Sequence, residues 1–237
     1  MGDSWAEATP TWTQVTAGLK IIGGDADVDN FVQATYATPH DIEAEVIASR
    51  AKAVASAYLA AFYNGDSASD PKAFDGLTKA IPAGQTIAAG TNGAALTLDM
   101  MDQLIDLVKP GKPDALLVSR RTRRRLSALR RTSGTLMETD VDAFGQRALF
   151  YDGIPLVVDD FVSDTQVKGT SAATCSSVYA VKFGQNSGVM GLEHGGIQVE
   201  PVGELETKDA SRTRLKWYAG LAVFSELGVA RIEGVLP

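Results

Sequence analysis

The groups in this chain that can do chemistry are its charged side chains, and they come in runs. Asp25, Asp27 and Asp29 alternate in GGDADVD and imitate the start of a calcium-binding loop. Such a loop then needs glycine at its sixth position to turn the chain and glutamate at its twelfth as a bidentate ligand. Those positions hold Asn30 and Tyr36, so the pattern fails and the three acids read as a solvated turn. Asp159 and Asp160 form a second acidic pair. Two carboxylates can hold a metal or divide acid and base roles, but adjacent residues on a strand face opposite ways. This pair reads as a strand terminator. His40 and His194 have no metal-ligand spacing about them, and Cys175 is the single cysteine. With no GxSxG, no HExxH and no glycine-rich phosphate loop, no nucleophile–base set, metal site or cofactor is expected, and the chain reads as a non-enzyme.

The strongest chemical signal is basic. Residues 112–131 carry Lys112 and seven arginines (Arg120, Arg121, Arg123, Arg124, Arg125, Arg130, Arg131) against one acid, Asp114. That segment is +7 in a chain of net charge −7, which leaves −14 on the remainder. Leu126 and Leu129 give RRTRRRLSALRRT one narrow apolar edge, with the arginines on the other faces. Such a helix reads first as a source of salt bridges to another protein surface, then as a solvated face, and last as a nucleic-acid contact. No aromatic residue is interleaved, so base stacking is not expected.

These groups must be positioned by the surrounding elements. Thr38–Gly65 reads as one long helix, with Thr38 as cap, Pro39 in the first turn, Asp41 completing a capping box and Gly65 as a left-handed stop. Eight alanines support it, and Ile47, Ala51, Val54, Tyr58 and Phe62 form an apolar stripe. About 25 residues at about 1.5 Å give a rod of roughly 38 Å. Before it, two strands are expected near 11–22 and 26–33, with a turn at Gly23-Gly24. After it come loops, then a helix capped by Thr97 with Leu98, Met101, Ile105 and Val108 on one side. Ala115–Val118 reads as a buried strand, and Ser119 caps the arginine helix, which Gly134 closes. Phe150-Tyr151 and Ile154–Val158 pair about Asp152-Gly153, a hairpin turn dipeptide. Val178–Phe183 reads as a strand and Gly188–Gly196 as a glycine-broken loop. Arg212–Phe224 alternates, with Thr213, Leu215, Trp217, Ala219, Leu221 and Val223 on one face, and spans roughly 43 Å at about 3.3 Å per residue. Val229–Val235 is a last short strand. A rod and a ribbon of similar reach imply an elongated two-layer α+β body.

The 237 residues are 45% apolar and 22% charged, which is ordinary for a globular chain of one or two domains. No apolar run approaches the ~18 residues of a membrane span. MGDSWAEATP lacks a signal-peptide pattern, and Ala6 stands where a myristoylation motif needs serine or threonine. The expectation is an intracellular soluble protein with no membrane partner.

The order of these elements resembles the major capsid proteins of tailed bacteriophages. The resemblance runs from about Thr11 to Val235. Its strongest points are NGD and FDGL (Asn64, Gly65, Asp66, Phe74, Asp75, Gly76, Leu77) and YDGIPLVVDD. It implies a phage capsid-type fold, with a peripheral domain (P-domain) built on the spine helix and a long-stranded sheet. An axial domain (A-domain) with a mixed sheet and flanking helices, and an extended E-loop, complete it. Mapped here, residues 1–36 would be an E-loop remnant and base strands, 37–69 the spine, 70–194 the axial domain and 195–237 the return to the peripheral strands. The implied function is a structural coat subunit that assembles with copies of itself, as hexamers and pentamers, into an icosahedral head around double-stranded DNA. Its place would be the virion, after assembly in the host cytoplasm. An encapsulin-like nanocompartment shell enclosing a cargo enzyme is the alternative. Few residues precede the region matching Trp12, so a trimmed or naturally shortened chain is expected, monomeric or in small rings. Some family members cross-link a lysine to an asparagine with the help of a glutamate. That trio has no counterpart mapped here, and Lys20 is the only lysine in the E-loop region. The inter-subunit contact candidates are the seven arginines, Trp12 and Lys20.

Overall fold

The structure, a computed structural model, describes residue 14 and residues 16–36, 41–134, 138–141 and 147–237. In chain order, strand β1 (Lys20–Asp29) runs into a short helix α1 (Asn30–Tyr36) and then the long helix α2 (Ile42–Asn64). Helix α3 (Leu77–Ala80), strands β2 (Thr86–Ala88) and β3 (Ala94–Ala95), helix α4 (Leu98–Leu107), strand β4 (Ala115–Val118) and helix α5 (Arg120–Thr132) follow. Next come β5 (Glu138–Val141), β6 (Arg147–Tyr151), β7 (Ile154–Val158) and β8 (Ser176–Val181). The chain ends with β9 (Val189–Glu204), β10 (Ala210–Val223) and β11 (Val229–Leu236).

These strands form two sheets. The smaller is antiparallel, in the order β1-β10-β9. The larger runs β2-β11-β8-β4-β7-β6-β5, with β3 also on β11, and mixes parallel and antiparallel pairs. The fold is therefore α+β. The 23 residues of α2 reach about 34 Å and the 14 of β10 about 46 Å. The rod lies on the ribbon through Val46, Ala51 and Val54, which meet Ile22, Ala26, Leu215 and Trp217. This core is thin. Most alanines of α2 are exposed, so the helix owes its length to alanine's low conformational cost more than to burial.

The larger sheet is covered on both faces. Leu116, Val118, Leu156, Val178 and Ile232 pack with α4 (Met101, Leu104, Ile105) and α5 (Leu126). Leu117, Tyr179, Val181 and Val229 share a second core with Tyr63, Phe74 and Leu77 at the end of α2 and in the segment after it. This second core joins the rod to the larger sheet.

The junction explains NGD and FDGL. Gly65 and Gly76 touch, with the Gly76 amide donating to the Gly65 carbonyl at 2.9 Å. A Cβ on Gly65 would lie 2.2 Å from the Phe74 carbonyl oxygen, and one on Gly76 would lie 2.4 Å from that of Ala61. Asp75 accepts from the Ser67 amide at 2.8 Å, and Lys79 bridges Asp66 and Asp75. Tyr63 donates its hydroxyl to Asp159 at 2.9 Å, which ties the rod to the end of β7. Burial and that carboxylate push the Tyr63 phenol well above its usual range.

Several expectations need correction. Gly65 has φ −59°, so it is no left-handed stop; glycine is needed there for close approach. The cap of α2 is Asp41, whose carboxylate accepts from the Ala44 amide at 3.2 Å; Thr38 and Pro39 lie outside the described residues, as does His40. Gly23-Gly24 is not a turn. It sits inside β1, which pairs continuously with β10 from Lys20↔Ala219 to Asp29↔Ala210, and a Cβ on Gly23 would lie 2.3 Å from the Leu215 oxygen. The second expected strand is thus the end of the first, and residues 30–36 are helical. Gly188–Gly196 is not a loop but most of the first half of β9. Gly195 and Gly196, at φ +72° and +67°, form the bulge where the register slips opposite Lys216–Tyr218. The last strand, β11, belongs to the larger sheet, so the return to the peripheral strands does not extend through it. The caps at Thr97 and Ser119, the hairpin at Asp152-Gly153 and the strand over Arg212–Val223 are as expected.

Asp25, Asp27 and Asp29 form no solvated turn either. Asp25 accepts a two-pronged contact from Arg214 at 2.8 and 3.1 Å, and Asp27 one from Arg212 at 2.6 and 2.8 Å, each pair directly opposed across β1 and β10. Lys208 adds a bond to Asp27 at 2.7 Å. Asp29 caps α1 by accepting from Phe31 and Val32. The hydrogen bonds from Arg214 and Arg212 hold Asp25 and Asp27 below the usual carboxylate range.

Two outcomes are expected. Gly65→Ala and Gly76→Ala each lower stability by about 2–3 kcal/mol in urea unfolding, since backbone must shift to admit the Cβ. Gly24→Ala, with nothing within 4 Å of its Cβ, serves as the small-effect control. The β1–β10 ion pairs have depressed folded-state values, so their stabilisation is present above the ordinary carboxylate value of 3.8 and is lost as pH falls below it. A double Asp25→Asn, Asp27→Asn variant therefore has a lower urea midpoint than the unaltered protein at pH 7, and the gap narrows progressively as pH falls below the ordinary carboxylate value.

Candidate assembly surface

The arginine helix has no intrinsic electrostatic support. Ser119 caps it, accepting from the Thr122 amide at 3.2 Å, and Gly134 takes φ +81° just past its end. No acid stands in its first turn, where arginines oppose the helix dipole; only Arg130 and Arg131, in the last turn, are favourably placed. Arginines three and four residues apart repel one another. What holds the helix is Leu126, fully buried, with Leu129 beside it, against the larger sheet.

Burial at Leu126 fixes where each arginine goes. Arg120, Arg124 and Arg131 lie on the solvent side and are exposed. Arg121 and Arg125 fall on one flank, and Arg123 and Arg130 on the other. Arg120 pairs with Asp160 at 2.5 Å, and Arg121 reaches Asp164 at 3.5 Å and the Val235 carbonyl at 3.4 Å. The Arg130 guanidinium lies 4.4 Å from the centroid of the Tyr151 ring. Arg123, Arg124, Arg125 and Arg131 have no ion-pair partner among the described residues. The Nε atoms of Arg125 and Arg130 are buried with no acceptor. The structure thus leaves five of the seven cations, Arg130 with its ring contact included, without a counter-charge among the described residues.

The other candidates lie elsewhere. Trp12 is outside the described residues. Lys20 begins β1, on the smaller sheet, and donates to the Pro71 carbonyl at 2.7 Å. It also lines an open cavity of about 470 Å³ with Phe74, Asp75 and Phe224. Two of the polar groups there have partners: Lys20 that carbonyl, Asp75 the Ser67 amide and Lys79. Asp159 and Asp160 diverge to Tyr63 and Arg120, as a strand-ending pair should. Among the described residues no group of three or more metal-ligating side chains occurs, and no helix is long and apolar enough to cross a membrane.

The sequence reading missed two features. Arg231 is buried at 9% exposure and donates to Ser177 and Gln166, both at 3.0 Å, a satisfied cation inside the larger sheet. Nothing in its neighbourhood in sequence announces those partners. The second is the polar side of α4. Asp99, Asp102, Gln103 and Asp106 recur at helical spacing and are all exposed, with no basic residue on the helix. That pattern was legible beside the apolar stripe.

The comparisons now bear on this geometry. A search of curated proteins by sequence finds no significant match. Among solved structures, an encapsulin complex from Synechococcus elongatus PCC 7942 is similar with a TM-score of 0.77 at 21% identity, over 92% of this chain and 74% of that one. The capsid of an empty GTA particle is similar at 0.68 and 17% identity, over 99% and 81%. Mycobacterium phage Bobi gives 0.62 and 15%, over 98% and 81%. At these identities the likeness establishes the fold. The model of the phage capsid family matches residues 2–232, and with the rod laid on its ribbon beside a larger mixed sheet, the chain belongs to the phage capsid family as a major capsid protein.

Proposed function

We propose that this chain is the coat subunit of a tailed-phage or prophage head, which closes from copies of itself into an icosahedral shell around double-stranded DNA. The observation that carries the reading is the family match across residues 2–232. On this reading the protein's work is geometric, and no reaction is assigned to it. Head-to-tail contacts that close give rings, here hexamers and pentamers, and rings tile the shell. Assembly would take place in the host cytoplasm before the virion is complete. The peripheral domain would comprise α2 with β1, β9 and β10, and the axial domain the larger sheet with α4 and α5. The seven arginines would serve subunit contacts, where charge sets register and encounter rate.

One observation favours a second reading. The encapsulin's TM-score of 0.77 exceeds the 0.68 of the GTA capsid, so a cellular nanocompartment shell is the alternative purpose of the same fold. Electron microscopy of the purified protein, with analysis of what co-purifies inside any shell, separates the two. Nuclease-protected DNA supports the head and an enclosed protein supports the compartment. Strict monomers, or only small rings, at every concentration match instead the expectation for a shortened chain and show that it closes no shell by itself.

Replacing Arg123, Arg124 and Arg125 together by alanine is expected to reduce assembled species in light scattering at least about tenfold, while the thermal midpoint falls by only a few degrees. Loss of the folded state instead would assign those side chains to the subunit's own stability.

A further inference from the structure

Two helices over one core carry opposite charge. Helices α4 and α5 cover the same face of the larger sheet, since Met101, Leu104, Ile105 and Leu126 share one core with Leu116, Val118 and Ile232. Their outward sides are opposite in sign. On α4, Asp99, Gln103 and Asp106 form an exposed line, and on α5 Arg120, Arg124 and Arg131 do the same.

Within the subunit the two lines stay apart. Among the described residues no α4 carboxylate pairs with an α5 guanidinium. The connection between them is Tyr151, whose hydroxyl donates to Asp102 at 2.7 Å and whose ring lies under Arg130. Asp99 has a neutral partner, the Gln103 amide at 2.7 Å. Among the described residues, Asp99, Asp106, Arg124 and Arg131 are left facing solvent without a counter-charge.

Spacing matches as well as sign. Asp99 and Asp106 are seven residues apart, and so are Arg124 and Arg131. Each pair is therefore two turns apart on one side of its helix, about 10.5 Å along the axis. We infer that α5 of one copy docks on α4 of a second copy, with Arg124 and Arg131 against Asp99 and Asp106. This rests on the coat-subunit reading and names the surfaces that it uses. A nucleic acid is the poorer occupant, because its phosphates would meet the α4 carboxylates beside the arginines, on a body that carries −14 outside the basic segment. A second copy meets each line with its opposite, and like-charge alignments are disfavoured, which fixes register.

Charge reversal tests this directly, at exposed positions that leave the core intact. The variant Asp99→Arg, Asp106→Arg and the variant Arg124→Glu, Arg131→Glu should each raise the concentration needed for self-association about tenfold or more, read by light scattering in low salt. Circular dichroism should be unchanged for both. The combined four-residue variant should return association to within about threefold of the unaltered chain, and an equimolar mixture of the two reversed variants should associate better than either alone. The pairing is overturned if the α4 reversal associates normally, if the combined variant is no better than its parents, or if the α5 reversal alters only retention of DNA. An α5 effect without an α4 effect would leave the coat reading standing and this pairing refuted. A strictly monomeric unaltered chain would refute the pairing together with shell closure by this chain alone.

Discussion

The contact on which the rest of the molecule depends is the meeting of two glycines. Gly65, at the end of α2, and Gly76, before α3, bring their backbones to hydrogen-bond distance, and neither tolerates a side chain. Around them the Tyr63–Asp159 hydrogen bond, the Lys79 bridge to Asp66 and Asp75, and the core of Phe74, Leu77, Leu117 and Tyr179 lock the rod to the larger sheet. A helix of 23 residues with few buried side chains would otherwise be a lever hinged at one end. Fixing that end lets an alanine-rich rod, stiff by propensity, transmit a defined angle to whatever its far end touches. On the proposed coat-subunit reading, that angle is what lets copies tile.

The smaller sheet uses a different means. Its core is thin, so the outer face is stitched by charge. Asp25 and Asp27 alternate on β1, Arg212 and Arg214 alternate on β10, and the antiparallel register sets each acid opposite its base. Two-pronged arginine–carboxylate contacts are directional, so they hold register where a shallow apolar layer would permit slippage. Charge inside the subunit thus serves alignment in the smaller sheet, while among the described residues Asp99 and Asp106 of α4 and Arg124 and Arg131 of α5 keep no counter-charge, where the larger sheet is already fixed by its own core.

Periodicity was the reliable guide to the elements. The alternation in Arg212–Val223, the caps at Thr97 and Ser119, and the Asp152-Gly153 turn are all local signals, and each appears in the structure where the residues place it. The glycine signals misled. Gly23-Gly24 and the glycines of 188–196 have the composition of turns, yet both lie in long strands. Glycine announces that something approaches or that the backbone bends, without saying which. A carbonyl of β10 decides the first case and a bulge the second.

The candidate surface was legible in part. Seven arginines on one capped helix, with Leu126 as its anchor, follow from the sequence alone, because helical spacing and a single apolar edge leave one orientation. Which of those arginines find partners does not follow, since Asp160, Asp164, Val235 and Tyr151 come from distant parts of the chain. The alternating acids of β1 show the same division. The sequence determined their spacing and their charge. Only the tertiary structure decided that they serve β10 rather than a metal, because a carboxylate's role is set by the group brought opposite it, and strand pairing across nearly two hundred residues is not a local property.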